Sequence, residues 1–482
     1  MRVALISMPV STGFTDGMTI EPLGLEYVSA ALTLDGHETA ILDIAVHRMT
    51  RPVILRRLAQ LRPDWVGFTV YAKNKDDVRS LAAEIKRRMR TRIVLGGPAT
   101  VLSPELALEP AVDFVVLGDG EHAARELTRH LADGSVPLAS IRGLAYARDG
   151  KLVRNKPREF NTDLDALPFP DRRFVAFSKY NTRLAYPCRP GVRQTAIITS
   201  RGCPYTCGFC VNPRIFGGRW AGRSPENVME EIRLVRGHGI HHLNIVDEDL
   251  NVDRDRAARL YRLMAQEPDP IGWGCETAPC SLDVGLIDLM AAAGCRSVFL
   301  GIETGSPRLM KKLSKRVDLG HARALVERLH RHHIFTIGSF ILGMPWEDAG
   351  SIRETIDFAK SLNLNIAAVG FHRPVRGSAF ERFAVRNGLL PADYDENAEA
   401  LRFTTPSHPT LHLGVEEVRR SSRRFMTEVY GRPAFVLAVG RRMLHAPSHA
   451  WAYVQLAQAV GAGILTDVLT RLPRGHSGTM SS

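Results

Sequence analysis

The chain has 482 residues, which is too long for one ordinary hydrophobic core, so two or three domains are expected. Hydrophobic residues make up 45% and charged residues 24%, as in a soluble globular protein. No apolar run reaches the roughly 18 residues that a membrane span needs. The formal net charge of +12 permits an anionic partner, but the basic residues are scattered and do not identify one.

Residues 1–135 alternate strand and helix patterns and are predicted to form the first domain. Short β-branched runs predict five strands, and helical spacing predicts single helices between them. This alternation implies an α/β fold with a parallel, doubly wound sheet, which binds ligands beyond the carboxyl ends of its strands. The predicted strands are 3–6, 39–42, 65–70, 93–95 and 114–117, and the predicted helices are 23–34, 51–61, 76–90 and one from Glu121.

Small residues follow two of these strands. Gly96-Gly97 follows the fourth strand, and Gly118-Asp119-Gly120-Glu121 follows the fifth. Such loops let a large flat ligand approach main-chain amides closely. Glycine-rich turns are common after strands, so the loops alone do not identify the ligand. No G-x-G-x-x-G motif follows the first strand, which counts against a dinucleotide.

Residues 136–190 are predicted to be a connector that contains a hairpin. Residues 144–147 and 151–154 flank Asp149-Gly150, which favours a tight hairpin turn. The proline-containing stretch 167–171 then favours an extended strap between domains.

Three cysteines are the strongest functional signal in the chain. Cys203, Cys207 and Cys210 form a C-x3-C-x2-C frame directly after a predicted strand at 195–200. Thiolates so close together can hold three irons of an iron–sulfur cube and leave the fourth iron open. The spacing also leaves open half of a zinc site, although no second half is evident. A disulfide is not expected, because the amino terminus does not resemble a secretory signal and the cysteine usage indicates a reducing cytoplasm.

The alternation of strand and helix returns in residues 191–400, which are predicted to form the second domain. Six strands with intervening helices favour an open, partial (β/α)6 barrel, whose chemistry lies at the carboxyl ends of the strands. The predicted strands lie near 195–200, 242–247, 271–275, 296–302, 334–341 and 366–371.

Acidic and small residues end three of these strands. Asp247-Glu248-Asp249 ends the second strand, where the carboxylates could hold the ammonium group of a zwitterion or could cap the next helix. Glu303 ends the fourth strand and could accept hydrogen bonds from ribose hydroxyls. Gly338 and Gly343 belong to the fifth strand and its end, and they allow close approach of an adenine ring.

Residues 401–482 are predicted to be a helical carboxyl-terminal region. Stretches 434–444 and 450–469 are apolar enough to pack on the barrel, which is the expectation, or to rest on a lipid face. The stretch from Gly475 is expected to be a disordered tail.

The cysteine frame resembles the signature of the radical S-adenosylmethionine (SAM) superfamily, including the aromatic Phe209 before its last cysteine. The strand ends of the second domain resemble, in order, the amino-group, ribose and adenine motifs of these enzymes. The resemblance implies a [4Fe–4S] cluster on the three cysteines of the frame. The usual paired aspartates are replaced by three carboxylates, so the one that touches SAM is left open. The SAM-binding residues implied are Phe209, Asp247, Glu248, Asp249, Glu303, Gly338 and Gly343.

The first domain resembles the cobalamin-binding domain that precedes the radical module in one branch of this superfamily. The matching pieces are Gly24-Leu25, Asp35-Gly36-His37, Gly96-Gly97-Pro98 and Gly118-Asp119-Gly120-Glu121. The D-x-H-x-x-G motif is missing and His37 lies at the wrong edge of the sheet, so no histidine is expected on the lower face of the cobalt. The cobalamin-binding residues implied are Thr69, Tyr71, Asn74, Gly96, Gly97, Gly118, Asp119, Gly120 and Glu121.

Together these resemblances cover about residues 1–375 and imply a cobalamin-dependent radical SAM enzyme. Cleavage of SAM would give a 5′-deoxyadenosyl radical, which takes a hydrogen atom from an unactivated carbon of the substrate. Methylcobalamin would then supply a methyl group. The predicted activity is C-methylation of a natural product of secondary metabolism, a tetrapyrrole or an isoprenoid lipid.

Two alternatives stay open. The same cofactors could form a ring or oxidise the substrate without methyl transfer, or the chain could be a cobalamin-binding regulator with a structural metal cluster. The complete set of strand-end motifs argues against the regulator. The expected partners are a small-molecule or lipid-like substrate and a reductant such as flavodoxin or ferredoxin. Nucleic acid is not expected, membrane contact is not favoured, and the expected location is the cytoplasm.

Overall fold

Two β-sheets, each built on parallel strands and flanked by helices, organise the chain. The computed structural model describes residues 1–9, 19–180, 192–315, 317–392, 394, 406–445, 449–450, 452–454 and 457. One sheet lies in the first 154 residues and the other between residues 194 and 371. The predicted fold class, α/β with one parallel sheet in each half, is confirmed.

The first sheet has seven strands. They are β1 (Arg2–Ser7), β2 (Glu38–Asp43), β3 (Trp65–Thr69), β4 (Arg92–Gly96), β5 (Phe114–Val116), β6 (Leu144–Arg148) and β7 (Lys151–Arg154). Their order in the sheet is β2-β1-β3-β4-β5-β6-β7, and the first five are parallel. The helices of this half are α1 (Leu23–Leu34), α2 (Ile44–His47), α3 (Arg51–Leu61), α4 (Lys75–Arg88), α5 (Pro98–Leu102) and α6 (Gly120–Asp133).

The central strands of this sheet are apolar on both faces. Residues 3–6 of β1 are all buried, as are residues 65–68 of β3. Such continuous burial is the pattern of a parallel sheet with helices on both sides. The strand order reverses between β1 and β3, so the switch point, where doubly wound sheets bind ligands, lies between their carboxyl ends.

The predicted hairpin is part of the first sheet. Asp149 and Gly150 connect β6 to β7 with φ angles of 52° and 72°, the left-handed values that a tight hairpin turn of this kind requires. β6 pairs antiparallel with β5, and it buries Leu144, Ala145 and Tyr146. This part of the predicted connector therefore extends the sheet, because its apolar residues have a core to join.

The second sheet has six parallel strands in sequential order. They are β8 (Gln194–Ile197), β11 (His242–Ile245), β12 (Gly272–Thr277), β13 (Cys295–Glu303), β14 (Phe335–Leu342) and β15 (Ile366–Phe371). A separate two-stranded ribbon pairs β9 (Ser200–Gly202) with β10 (Trp220–Gly222). Within the described ranges β8 and β15 remain the two edges, so the sheet is an open partial barrel.

Ten helices follow β8 in the described residues, and most of them cover the outer face of this sheet. They are α7 (Asn212–Phe216), α8 (Pro225–Gly237), α9 (Arg254–Ala265), α10 (Val284–Ala292), α11 (Pro307–Lys312), α12 (Leu319–Arg331), α13 (Ala349–Leu362), α14 (Ala379–Arg386), α15 (Val415–Tyr430) and α16 (Pro433–His445).

The strand predicted at 195–200 is divided into two pieces. Pairing of β8 with β11 stops at Ile197, and Ser200 already belongs to the ribbon. The N–H of Thr199 donates to Asp247 at 2.7 Å instead of to a neighbouring strand. This side-chain acceptor ends the ladder and turns the chain toward the cysteines.

A buried ion-pair network joins the two halves of the chain. Arg172 donates to Glu21 at 2.5 Å and to Glu231 of α8 at 2.7 Å, and Glu26 of α1 lies 3.7 Å away. The side chain of Arg172 is 7% exposed, and those of the three glutamates are 3% exposed or less. Arg223 also pairs with Glu231. One arginine thus holds the strap, α1 and α8 together.

The carboxyl-terminal region packs on the barrel, as predicted for its first part. α15 buries Val418, Phe425 and Val429, and the ring of Phe425 lies 5.4 Å from that of Phe340 in β14. α16 confirms the helix predicted at 434–444, whereas most of 450–469 and the tail from Gly475 lie outside the described residues. No helix in the described part of the chain is both long and apolar enough to cross a bilayer.

Candidate active site

The three cysteines of the frame lie in the loop between β9 and β10. All three are free and half-buried. Two main-chain hydrogen bonds anchor Gly208 in this loop: its N–H donates to Leu313 O at 3.1 Å, and its carbonyl accepts from Phe380 N at 3.2 Å. A Cβ at Gly208 would lie 2.4 Å from the Phe380 ring. The loop is therefore fixed between the end of α11 and the start of α14.

The metal-binding groups of this loop are three thiols. Among the described residues, no group of three or more His, Cys, Asp or Glu side chains converges on one metal position. Burial, with a smaller contribution from the neighbouring thiols, raises the pKa of Cys203 to about 12 and that of Cys207 to about 11. Free thiols in this loop keep their protons, and iron would have to displace them. The donor set, three cysteines without histidine, fits a [4Fe–4S] cluster with one open iron.

Gly202 is required for the turn into this loop. Its φ is 87°, and a Cβ would lie 2.3 Å from the carbonyl oxygen of Arg219 across the ribbon. We expect Gly202→Ala to lose more than about 1 kcal/mol of stability and to bind less iron after reconstitution, as measured by thermal unfolding and iron analysis. Gly237→Ala at the end of α8, where a Cβ meets nothing within 4 Å, is the control. Normal iron loading of Gly202→Ala would contradict this reading.

Glu303, the predicted ribose-binding residue, is paired with a lysine that the sequence reasoning missed. Lys315 Nζ lies 2.5 Å from Glu303 Oε1, and Ser339 Oγ donates to Oε2 at 3.2 Å. The ammonium of Lys315 also lies 6.0 Å from the ring centroid of Phe209. Burial alone would lower the pKa of Lys315, but Glu303 outweighs it and raises the pKa. The structure thus brings Glu303 and Phe209 together around a buried cation.

The backbone at Glu303 is strained. Its φ is 72°, a value uncommon for residues other than glycine, and the register of β13 against β14 shifts between Gly301 and Glu303. Strain of this kind concentrates at ligand sites, because the surrounding structure must hold it in place. Here it turns the carboxylate toward Lys315 at the carboxyl end of the strand.

The three consecutive carboxylates have different surroundings. Asp247 accepts from Thr199 N and Oγ1 and from Ser200 Oγ at 2.6–2.7 Å. Asp249 accepts from Thr277 Oγ1 at 2.7 Å and from Ser281. Glu248 is exposed, and its carboxylate accepts from Gly202 N at 3.1 Å.

None of these three acids caps the next helix. Asp253 does so, because its side chain accepts from Arg256 N at 3.0 Å at the start of α9. The helix-cap alternative for residues 247–249 is therefore wrong. Asp247 and Asp249 instead hydrogen-bond the ends of neighbouring strands, and the side chain of Glu248 is exposed to solvent.

The two predicted adenine-site glycines differ in their surroundings. A Cβ at Gly338 would lie 2.6 Å from Leu364 Cδ1 and 2.9 Å from Ile302 Cδ1, so a larger residue there would have to displace these two side chains. Gly343 follows β14 with φ 82°, and its N–H donates to Glu347. Glu347 is fully buried, and its Oε1 has no partner in the described structure. Sequence reasoning missed this acid four residues after Gly343.

Burial raises the pKa of Glu347 to about 8, from 4.5 in the unfolded chain. Between these values the folded protein binds more protons than the unfolded chain, so this residue lowers stability as the pH rises. We expect Glu347→Gln to become more stable than the parent by about 1–3 kcal/mol at pH 8 and by less at pH 5.

Thermal unfolding across this pH range measures the Glu347 effect, with Glu354→Gln on the exposed face of α13 as the control. A difference between Glu347→Gln and the parent that does not change with pH would contradict the raised pKa.

The predicted cobalamin residues lie at the carboxyl ends of β3, β4 and β5. Tyr71 is 42% exposed, whereas Asn74 is buried, accepts from Tyr71 N at 2.8 Å and donates to Thr69 O at 3.2 Å. The Asn74 side chain thus holds the loop that follows β3. Gly97 has φ 101°, and a Cβ there would lie 2.9 Å from Val70 O.

In the loop after β5 the glycines have free space beside them, whereas the acidic side chains form ion pairs. A Cβ at Gly118, where φ is 103°, would meet nothing within 4 Å, and one at Gly120 would meet only Val28 at 3.0 Å. Asp119 and Glu121, in contrast, pair with Arg201 at 3.3 and 2.6 Å. Small, glycine-containing loops at the ends of parallel strands suit a flat ligand such as a corrin. His37 is not part of these loops, and its Nδ1 lies 3.3 Å from the amino-terminal nitrogen.

The other cysteines divide between core and site. Cys275 and Cys295 are buried in the core of the second half, as expected of structural residues. Cys280 is exposed, in the turn Pro279–Ser281 that follows β12. Its neighbour Ser281 hydrogen-bonds Tyr205 of the cysteine loop at 2.9 Å. Cys188 lies outside the described residues.

Two family models match the chain. The B12 binding domain matches residues 12–128, and the radical SAM superfamily matches residues 197–359. An uncharacterized methyltransferase of Pyrococcus horikoshii is 28% identical over 91% of this chain and 94% of its own length. The anaerobic magnesium-protoporphyrin IX monomethyl ester cyclase of Rubrivivax gelatinosus is 26% identical over 73% of this chain and 64% of its own length.

A solved structure shares the fold of both halves. The radical SAM methyltransferase TsrM of Kitasatospora setae, with cobalamin and a [4Fe–4S] cluster bound, superposes with a TM-score of 0.67 at 23% identity. The match covers 80% of this chain and 78% of that one. At this identity the likeness concerns the fold alone.

Proposed function

Because the chain belongs to the radical SAM enzymes that carry an amino-terminal B12-binding domain, we propose that it methylates an unactivated carbon of a small molecule. One structural observation carries the proposal. The loop that holds the cysteines and the Gly118–Glu121 loop of the first half are joined by the ion pairs of Arg201. Two cofactors held on these loops would therefore face a common space. The substrate classes proposed are a natural product, a tetrapyrrole and an isoprenoid lipid.

The chain offers a fitting site for each cofactor. Cys203, Cys207 and Cys210 would hold the cluster, and the loops after β3, β4 and β5 would hold cobalamin. When bound, the cluster and SAM supply a carbon-centred radical, and cobalamin supplies the methyl group. The residues of the chain have to bind these groups, orient them and exclude water.

Three side chains are assigned contacts with SAM, and two further acids are assigned to positioning. Lys315, a buried cation beside the cysteine loop, would bind the carboxylate of SAM. Glu248 is the exposed acid of its triplet and would accept hydrogen bonds from the ammonium group. Glu303 would accept from ribose hydroxyls, because its carboxylate is held at the strand end by Lys315 and Ser339. Asp247 and Asp249 are assigned to positioning, since both are committed to the strand ends.

A second candidate function is ring formation or oxidation with the same cofactors. The cyclase of Rubrivivax gelatinosus supports it, because that relative matches most of this chain. The Pyrococcus relative matches over a larger share of both chains and is a methyltransferase by name, which favours methyl transfer.

Isotope transfer distinguishes the two candidates. Reconstituted protein with bound corrinoid is reduced anaerobically in the presence of SAM that carries a trideuterated methyl group, together with a panel of candidate substrates. Methyl transfer predicts label recovered with the corrinoid and in one product. The outcome that would overturn it is 5′-deoxyadenosine formation with label only in methionine and unreacted SAM.

A further inference from the structure

One arginine connects the cysteine loop to the first half of the chain. Arg201 lies in β9, two residues before Cys203. Its guanidinium pairs with Asp119 Oδ1 at 3.3 Å and with Glu121 Oε1 at 2.6 Å, at the amino end of α6. It also lies 5.1 Å from the ring centroid of Tyr27 in α1. Two separate helices of the first half thus hold a residue of the cysteine ribbon.

The contact between Arg201 and Glu121 is largely buried and charged. The side chains of Arg201 and Glu121 are 12% and 5% exposed, respectively. Burial works to raise the pKa of Glu121, yet the arginine outweighs it, and the pKa is lowered. Both groups are therefore ionised, and both are largely withdrawn from solvent. Buried charge pairs of this kind hold a defined geometry, because any separation leaves an unpaired charge in a low-dielectric region.

The cysteine side of the contact is equally constrained. Arg201 pairs with Ala221 in the ribbon, and the N–H of the next residue, Gly202, donates to Glu248 at 3.1 Å. A displacement of the guanidinium therefore moves the main chain that leads into Cys203. On the other side of the contact, Asp119 and Glu121 flank Gly120 in the Gly118–Glu121 loop. The ion pairs link the two cofactor loops directly.

We propose that Arg201 is a positioning residue that sets the distance and orientation between the cysteine loop and the Gly118–Glu121 loop. This inference rests on the proposed function, in which these loops hold the cluster and the corrinoid. The planar fork of an arginine can reach two carboxylates at once, which a lysine ammonium does not reproduce. Reaction between groups on two loops is sensitive to shifts of about 1 Å, which can cost about 10²-fold in rate.

A second pair between the halves provides a matched control. Arg376, which lies just before α14, contacts Glu105 at 3.3 Å, with side chains 59% and 49% exposed. Arg376→Gln removes a solvated contact between the same two halves, and the pair that it breaks includes no residue of either loop. If Arg201 only contributed to the overall contact between the two halves, Arg201→Gln and Arg376→Gln would raise amide exchange in the same segments and differ only in the size of the increase.

The first test uses hydrogen exchange on the protein without cofactors, so it does not depend on activity. In Arg201→Gln we expect amide exchange in residues 200–210 and 118–124 to rise together, by about tenfold or more. Arg376→Gln should leave both segments unchanged. If Arg201→Gln does not fold, Glu121→Gln, which keeps the shape of the pair but removes its charge, should give the same joint rise. Unchanged exchange in either segment of a folded variant would overturn the inference.

The second test measures the cofactors. Pulsed electron paramagnetic resonance on reconstituted protein gives the distance between the reduced cluster and Co(II) corrinoid. We expect Arg201→Gln to bind both but to broaden the distance distribution, with Arg201→Lys intermediate. An unchanged distribution overturns the positioning role and leaves the proposed function intact. A parent protein that binds no corrinoid overturns the proposed function itself.

Discussion

Replacing Cys207 with alanine is expected to reduce SAM cleavage to background and to leave the reconstituted protein without a stable [4Fe–4S] cluster. The frame provides three thiolates for a cluster of four irons, and the fourth iron has to stay open for SAM. Removing one thiolate opens a second iron. Iron and sulfide content, absorption near the thiolate-to-iron bands and 5′-deoxyadenosine yield after dithionite reduction measure the result.

Cys280 is the matched control for this variant. It is an exposed thiol in the turn after β12, whose Ser281 hydrogen-bonds Tyr205 of the cysteine loop, but it is outside the frame. Cys280→Ala should keep the iron content and the cleavage activity. Full cluster loading in Cys207→Ala, or loss of the cluster in Cys280→Ala, would show that the frame has been assigned incorrectly.

Replacing Arg172 with methionine is expected to destabilise the protein by about 3–5 kcal/mol, a large share of the roughly 5–15 kcal/mol that holds a typical protein folded. Methionine fills much of the volume but leaves Glu21, Glu26 and Glu231 together without this cation. Burial already raises the pKa of Glu26 well above its usual range, and Glu21 raises it further. Without Arg172 more of these acids must take up protons or separate. Urea unfolding followed by circular dichroism measures the loss.

The next residue gives the control for this prediction. Arg173 also pairs with a carboxylate, Asp171 at 2.6 Å, but its side chain is 59% exposed. Arg173→Met should change stability by no more than about 1 kcal/mol, since solvent already screens the pair. Equal losses for the two variants would mean that burial does not decide the strength of these pairs.

The secondary structure could be predicted where the apolar spacing and the residues that mark the ends of an element agree. The helices at 23–34 and 51–61 have the predicted bounds, because apolar spacing and nearby prolines mark them in the sequence. The hairpin at Asp149-Gly150 was equally local. Its pairing with β5 was not predictable, because that strand lies 28 residues earlier and neither segment carries a sequence signal that identifies its partner.

The site shows the same division. Glu303 and the cysteine frame could be assigned from their positions after predicted strands. Lys315 could not, because its contact with Glu303 depends on α11 turning the chain back over 12 residues. Arg201 and Glu121 are 80 residues apart, and their pairing depends on how two sheets face each other. The periodicity of apolar residues indicates which side of an element is buried. It does not indicate which charged residue of another domain will pair with a residue of that element.

The central claim is that one chain holds a reducible cluster and a corrinoid on facing loops. Its most direct test is to reconstitute the protein anaerobically with iron, sulfide and hydroxocobalamin, remove unbound material, and add dithionite and SAM. The predicted result is one corrinoid retained per chain together with 5′-deoxyadenosine formation. Cleavage of SAM by protein that retains no corrinoid would contradict the account, and so would retained corrinoid in a protein that never cleaves SAM.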